Sequence, residues 1–169
     1  ALAFALLLIR RLFLAQASTR ALAPAQIANQ LMDGSDYSEN TGAASVLFLD
    51  LIGSTTLAQS VSSEEYSRTI RAYYGIVGDQ VERVGGVLLE FRGDGILAAF
   101  QRDTIGDGYA AAACSAVRHI KQVIDQRSAK EKEISQIHVR SGIATGEVTL
   151  SSAAAGERVV LTVAGDTVN

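Results

Sequence analysis

The fold of this chain is decided by the stretch Gly85–Phe100, GGVLLEFRGDGILAAF. It predicts two short strands joined by a tight turn at Arg92–Gly95, because the glycines on either side of Asp94 relax the backbone. Apolar residues in both arms, Val87–Leu89 and Ile96–Phe100, can anchor the hairpin in a core. The turn therefore presents a carboxylate at the tip of a buried hairpin.

A second acidic residue closes another apolar strand. Asp50 follows Ser45–Leu49 and runs directly into Gly53–Thr56. Either aspartate alone is also typical of a simple turn. In a sheet where the first strand neighbours the hairpin, however, Asp50 and Asp94 lie at the same edge. Two hard oxygen donors suit Mg²⁺ or Mn²⁺, which complete their shell with water and phosphate oxygens.

The residues after Asp50 are suited to bind phosphate. Backbone amides and hydroxyls at a helix start form a natural cradle for a polyphosphate. The candidates are Ile52, Gly53, Ser54 and Thr55. By contrast, His119 and His138 are interpreted as structural, because no His/Cys cluster suggests zinc.

Composition limits the possible classes of protein. The chain has 169 residues, 48% of them apolar, which is enough for one domain with a proper core. A net charge of −3 and the lack of a basic stripe argue against nucleic acid as a partner. The single Cys114 lies among small residues, which predicts a buried, inert thiol.

Strand and helix patterns alternate from Ala43 onward. The order β-α-β-β-α-β predicts an α+β, ferredoxin-like palm domain with a mainly antiparallel sheet. The predicted elements are a strand Ala44–Asp50, a helix from Ser62 or Ser63 to Val84, the hairpin Val87–Phe100, a helix from Asp103 or Thr104 to Ser128, a charged loop Lys130–Ser135, a hairpin Ile137–Leu150 turning at Thr145-Gly146, and a strand Val159–Ala164.

The first 42 residues are predicted to form a separate helical, membrane-proximal segment and linker. Ala1–Ile9 is wholly apolar and is followed by Arg10 and Arg11. Two interpretations stay open: the cytoplasmic end of a transmembrane helix, with the basic pair obeying the positive-inside rule, or a helix that packs on a partner helix. Asp33–Gly42 is polar and predicts a linker, so the predicted domains are 1–42 and 43–169.

Four motifs together resemble a known family. FLDLIGST (Phe48–Thr55), the hairpin Gly85–Phe100, RSGIATGEV (Arg140–Val148) and TVAGDTVN (Thr162–Asn169) resemble, in order and spacing, the class III adenylate/guanylate cyclase catalytic domain. The segment Ala21–Leu31 is similar to the helix that often precedes this domain in membrane-linked bacterial members. On this resemblance the chain is expected to be truncated at both ends.

The resemblance implies an enzyme of signal transduction that converts ATP or GTP to its 3′,5′-cyclic monophosphate and pyrophosphate. Asp50, Asp94 and the Leu51 carbonyl would hold two Mg²⁺ or Mn²⁺ ions. The domain would act as a head-to-tail homodimer, in which Asn169 orients the ribose at the partner's metal site. It would lie in the cytoplasm, with the full-length protein anchored in the inner or plasma membrane.

The resemblance leaves the purine open. Glu90 stands where guanylate cyclases carry Glu and adenylate cyclases usually carry Lys, whereas Thr162 is compatible with many bacterial adenylate cyclases. A carboxylate accepts from guanine N1–H and N2–H₂, while Lys donates to adenine N1. The family's catalytic Arg and triphosphate-binding Lys would follow Asn169, so residues 1–169 alone are expected to be inactive.

Two other interpretations remain. A catalytically silent cyclase-homology module, serving dimerisation or signal relay, is favoured by the mixed pair Glu90 and Thr162. A diguanylate-cyclase-like palm domain shares the general topology, but the hairpin lacks a GGDEF-type turn.

Overall fold

A computed structural model describes residues 37–135, 137–155 and 158–168 of the chain. The predictions for residues 1–36, including both interpretations of the apolar start, lie outside the described residues. Within these ranges no helix is long and apolar enough to cross a membrane.

Strands and helices follow one another in the predicted general order. They are β1 (Tyr37–Leu51), α1 (Ser54–Ser60), α2 (Ser63–Arg83), β2 (Val87–Arg92), β3 (Gly95–Gln101), α3 (Arg102–Ile105), α4 (Tyr109–Ser128), α5 (Lys132–Ser135), β4 (Val139–Ala155) and β5 (Arg158–Ala164).

The strands form one sheet in the order β2-β3-β1-β4-β5. The pairs β2/β3 and β1/β3 are antiparallel. The first strand therefore neighbours the hairpin, as predicted, since Ala44 pairs with Gln101 and Leu49 with Ile96. This arrangement of helices and antiparallel strands confirms the predicted α+β palm fold.

The core lies between β1, β3 and the two long helices. Alternate residues of β1, namely Leu47, Leu49 and Leu51, are buried in it, whereas Phe48 between them is exposed. This is the alternation expected of a strand with one face against helices. The core residues from α2 and α4 are Tyr73, Ile76, Val77, Val81, Ala113, Ala116, Ile120 and Ile124.

Helix α2 begins and ends at the signals in its sequence. The Ser62 side chain accepts a hydrogen bond from the Glu65 amide at 3.2 Å, which caps the first turn. Glu64 and Glu65 in that turn favour the helix dipole. After Arg83, Gly85 turns with a φ of 80°, and the Gly86 amide donates to the Val81 carbonyl at 2.9 Å.

Several local predictions were wrong. The helix expected from Asp103 to Ser128 is divided into α3 and α4, because Gly106 takes a φ of 82°. The predicted loop Lys130–Ser135 contains the short helix α5. Cys114 is exposed rather than buried. Strand β1 begins at Tyr37, inside the predicted linker, while the proposed domain boundary itself stays a prediction.

The second predicted hairpin is also wrong. Strand β4 continues without a turn through Thr145 and Gly146 to Ala155. A side chain at Gly146 would collide with the Thr167 hydroxyl, so this glycine serves a close approach rather than a turn. The Thr167 hydroxyl also donates to the Glu147 carbonyl at 3.2 Å.

The described residues fall into two compact units. The larger comprises 42–135, 137–148 and 164–168, and the smaller comprises 37–41, 149–155 and 158–163. In the smaller unit the hydroxyls of Thr41 and Thr149 are 2.8 Å apart. Asp50, Asp94 and Glu90 belong to the larger unit.

Candidate metal centre

The end of β1 and the hairpin turn bring Asp50 and Asp94 together. Leu49 pairs with Ile96, so the antiparallel register sets Asp50 against Gly95, the residue that follows Asp94. Asp94 sits in the turn between β2 and β3, where Gly93 takes a φ of 62°. The two acids predicted from sequence to share one sheet edge therefore do so.

Arg140, near the start of β4, binds Asp50. Its Nε donates to Asp50 Oδ2 at 2.8 Å, and its Nη2 donates to the same oxygen. The hydrogen bond from Arg140 is the main reason why the pKa of Asp50 is lowered, while partial burial opposes that change. Hydrogen bonding with the Asp94 carboxyl and the Leu51 backbone lowers the pKa of Asp50 further. Asp50 is thus held in its ionised form.

The donor set fits a hard divalent cation. Asp50 and Asp94 supply carboxylate oxygens within hydrogen-bonding reach of one another, which is the ligand type that Mg²⁺ and Mn²⁺ prefer. Across the described ranges no group of three or more His, Cys, Asp or Glu side chains could hold a metal. A cation here would therefore take two carboxylates from the described residues and fill its other positions with water or substrate.

Two adjacent tyrosines of α2 support this edge. The Tyr74 hydroxyl donates to the Gly93 carbonyl in the hairpin turn, and its ring packs on Phe91 with centroids 4.4 Å apart. Tyr73 is fully buried and its hydroxyl has no hydrogen-bond partner within the described part of the chain. Burial, and then the charges of Asp50 and Asp94, raise the pKa of Tyr73, so its ring lies within the field of both acids.

The segment after Asp50 forms a turn and a short helix. The buried Leu51 ends β1, and α1 begins after Gly53, which takes a φ of 73° and offers no side-chain cap. Ser54 and Thr55 occupy the first turn of α1. The amide of Ile52 donates to the His138 carbonyl at 2.7 Å, so this predicted phosphate donor is already engaged.

Glu90 does not stand alone at the predicted purine position. Its Oε1 is 2.8 Å from Arg92 Nε, two residues further along β2. The hydrogen bond and charge of Glu90 raise the pKa of Arg92. The register of β2 against β3 shifts between Leu88 and Glu90, so the ladder is irregular just before Glu90.

The structure tests neither of the last two predicted site residues. Thr162 is exposed on β5 and belongs to the smaller compact unit. Asn169 lies outside the described residues. Their predicted roles stay predictions.

Sequence reasoning missed three side chains of this region. Arg140 is the first residue of the motif RSGIATGEV, and Arg92 is the first residue of the hairpin turn, yet neither position alone indicates a carboxylate partner. No sequence pattern around Tyr74 indicates the hydrogen bond that its hydroxyl makes, because the partner, Gly93, is 19 residues away.

Comparison with known proteins matches this part of the chain to one protein family. The family described as the adenylate and guanylate cyclase catalytic domain matches residues 36–169. Adenylate cyclase 1 of Rhizobium meliloti is 26% identical to this chain over 125 residues. That match covers 73% of this chain and 19% of the relative, so the chain spans about a fifth of that curated relative's length.

Solved structures show the same fold. The guanylyl cyclase Cya2 superposes with a TM-score of 0.68 and 25% identity, covering 76% of this chain and 66% of that one. A bacterial light-regulated adenylyl cyclase superposes with a TM-score of 0.79 and 16% identity, covering 98% of this chain and 48% of that one. One of these two proteins is named a guanylyl cyclase and the other an adenylyl cyclase.

Proposed function

Because the chain belongs to the adenylate and guanylate cyclase catalytic domain family, we propose that it converts ATP or GTP to the 3′,5′-cyclic monophosphate and pyrophosphate. The observation that carries the proposal is the approach of Asp50 and Asp94 at one sheet edge. The product would serve signal transduction, with the catalytic domain in the cytoplasm, residues 1–42 as its membrane-proximal segment and linker, and the full-length protein anchored in the inner or plasma membrane.

The reaction is an in-line displacement at the α-phosphorus. The ribose O3′ gives its proton to solvent water and forms a bond to that phosphorus, while the bond from the phosphorus to the α,β-bridging oxygen breaks and pyrophosphate leaves. Asp50, Asp94 and the Leu51 carbonyl would hold two Mg²⁺ or Mn²⁺ ions. When bound, such ions acidify the attacking hydroxyl and offset charge on the leaving phosphates.

The remaining residues bind and orient the nucleotide. The amides of Gly53, Ser54 and Thr55 and the two hydroxyls face the phosphates as hydrogen-bond donors. Ile52 would lie beside the phosphates without donating to them, because its amide already donates to the His138 carbonyl. The Glu90 carboxylate and the Thr162 hydroxyl read the purine edge.

The active form is a head-to-tail homodimer in which Asn169 orients the ribose at the partner's metal site. Among the described residues, four large apolar side chains are exposed, and a partner chain would cover them in such a dimer. They are Phe48, Ile52, Phe91 and Ile143.

The proposal is tested by product formation with Mn²⁺ and either ATP or GTP, using the protein with any residues that follow Asn169 included. We expect Asp50→Ala and Asp94→Ala each to lower kcat by about a hundredfold or more, because each removes a carboxylate that would hold the catalytic cations. Asp125→Ala is the matched control, since Asp125 is an exposed carboxylate of α4.

Two outcomes would contradict this assignment. If Asp50→Ala and Asp94→Ala turn over as fast as the parent, the metal assignment is wrong. If the parent binds triphosphate tightly in the presence of cation but forms no product, the chain is a silent homology module for dimerisation or signal relay.

A further inference from the structure

Arg140 contacts the candidate metal centre, although the proposed reaction assigns it no role. Two of its nitrogens, Nε and Nη2, donate to the same oxygen of Asp50, Oδ2. The other oxygen of Asp50 is left for other contacts. Arg140 therefore adds one positive charge beside two carboxylates.

A backbone hydrogen bond joins the two strand ends that carry this ion pair. Asp50 lies at the end of β1, and the following amide of Ile52 donates to the carbonyl of His138 at 2.7 Å. His138 directly precedes β4, whose second residue is Arg140. The end of β1 and the start of β4 are thus tied together beside the ion pair, which lowers the entropic cost of forming it.

An ordinary exposed ion pair contributes little, and the Arg140 side chain is 73% exposed. This pair differs because the register of β1 against β3 places Asp50 beside the turn that carries Asp94, and two ionised carboxylates at short range repel each other. A guanidinium on one of them offsets the repulsion. A divalent cation between Asp50 and Asp94 would offset the same repulsion.

We propose that Arg140 is the internal counter-ion of the Asp50–Asp94 pair and competes with divalent cations for Asp50. When a cation binds, the Asp50 carboxylate turns toward it and the guanidinium of Arg140 is released. Arg140 is thus a positioning residue that sets the cation affinity of the site. This inference rests on the proposed function only in taking Mg²⁺ or Mn²⁺ as the cation.

The first test measures Mn²⁺ binding without nucleotide, by the electron paramagnetic resonance signal of free Mn²⁺, on the whole protein. Arg140→Gln should bind Mn²⁺ about tenfold more tightly or better, because the loss of one positive charge a few ångströms away makes the site more negative. Affinity that is unchanged or weaker in Arg140→Gln would overturn the proposal.

The matched control is Arg127→Gln. Arg127 also donates two hydrogen bonds to one carboxylate, at 2.7 and 2.6 Å, but its partner is Glu131, four residues further along between α4 and α5. Its removal should leave Mn²⁺ affinity unchanged. An equal gain in affinity in Arg127→Gln would show that general charge, rather than the contact with Asp50, is responsible, and would also overturn the proposal.

A second measurement needs no variant, so it holds even if Arg140→Gln fails to fold. In the parent protein, the Nε–H resonance of Arg140 should move as Mg²⁺ is added, while that of Arg127 stays in place. An Arg140 resonance that stays in place while the carboxyl carbons of Asp50 and Asp94 respond to Mg²⁺ would overturn the competition.

Failure of this inference can be told from failure of the proposed function. Cation binding is measured without substrate, so a protein that never turns over can still show Mn²⁺ binding that tightens in Arg140→Gln. A protein that cyclises nucleotide but binds Mn²⁺ equally well with and without Arg140 contradicts only the inference.

Discussion

At the scale of single residues, the site is shaped by paired charges. Asp50 is held by Arg140, and Glu90 is held by Arg92, so both predicted functional acids of β1 and β2 have a guanidinium within hydrogen-bonding distance. In the proposed function, the Glu90 carboxylate accepts hydrogen bonds from the purine edge while it is paired with Arg92. Arg92 then adds donors next to that acceptor.

This pairing leads to a prediction for purine choice. Glu90→Lys should raise the ratio of kcat/KM for ATP over that for GTP by about tenfold or more, because a donor replaces the acceptor for guanine N1–H and N2–H₂. The measurement is initial rates with each nucleotide at the same Mn²⁺ concentration.

Arg92→Gln is the companion variant for that measurement. It removes the guanidinium that pairs with Glu90 Oε1, so the ratio of kcat/KM for ATP over that for GTP should fall. If neither substitution changes the ratio, Glu90 is a surface residue of β2 that contacts no base.

At the scale of elements, the hairpin and α2 act together. Tyr74 of α2 contacts both Phe91 in β2 and the carbonyl of Gly93 in the turn, so the helix supports the loop that carries Asp94. Gly86, which joins α2 to β2, lies against the ring of Phe100. Helix α2 therefore supports the hairpin at its tip, through Tyr74, and leads into its start at Gly86.

Two glycine substitutions test this packing in opposite directions. Gly86→Ala should lower the free energy of unfolding by about 1–3 kcal/mol, because its Cβ would lie 2.9 Å from both Cδ1 and Cζ of the buried Phe100 ring. Gly75→Ala, inside α2 with no neighbouring atom within 4 Å, should raise it by about 0.5–1 kcal/mol.

Urea unfolding of the two variants beside the parent measures both effects. Gly75→Ala also serves as the control for Gly86→Ala, because both add the same methyl group. Equal stabilities of the two variants would mean that the Phe100 ring can move aside freely.

At the scale of the whole molecule, the proposed homodimer places each metal site opposite Asn169 of the other chain. The family assignment of residues 36–169 supports the catalytic domain, while dimerisation rests on the proposal above. A head-to-tail arrangement has a consequence for mixtures of inactive variants. Because each site would take residues from both chains, a substitution in one half of the site and a substitution in the other half can be placed on different chains.

Mixing Asp50→Ala with Asn169→Ala should therefore restore activity that neither variant has alone. Random pairing yields about half mixed dimers, each with one intact site, and so about a quarter of the parent rate. Mixing Asp50→Ala with Asp94→Ala should restore nothing, because both chains then lack the same half. Product formation after mixing and re-equilibration measures this, and equal recovery in both mixtures would exclude the head-to-tail arrangement.

Much of the fold could be predicted because its signals are local. The hairpin and the capped start of α2 are determined by residues close together in the chain. The wrong predictions depended on distant contacts or on turn chemistry. Thr145-Gly146 resembles a turn in sequence, yet Gly146 faces Thr167 across the fold.

The sequence by itself determined that Asp50 and Asp94 share one sheet edge, because strand order and residue type are enough to place them there. Only the tertiary structure decided which groups surround them. Arg140 is 90 residues from Asp50, and no local pattern encodes such a contact. An ion pair between residues far apart in the chain forms only where packing brings the two side chains together. The apolar pattern that predicts a strand, by contrast, is present in consecutive residues of the sequence.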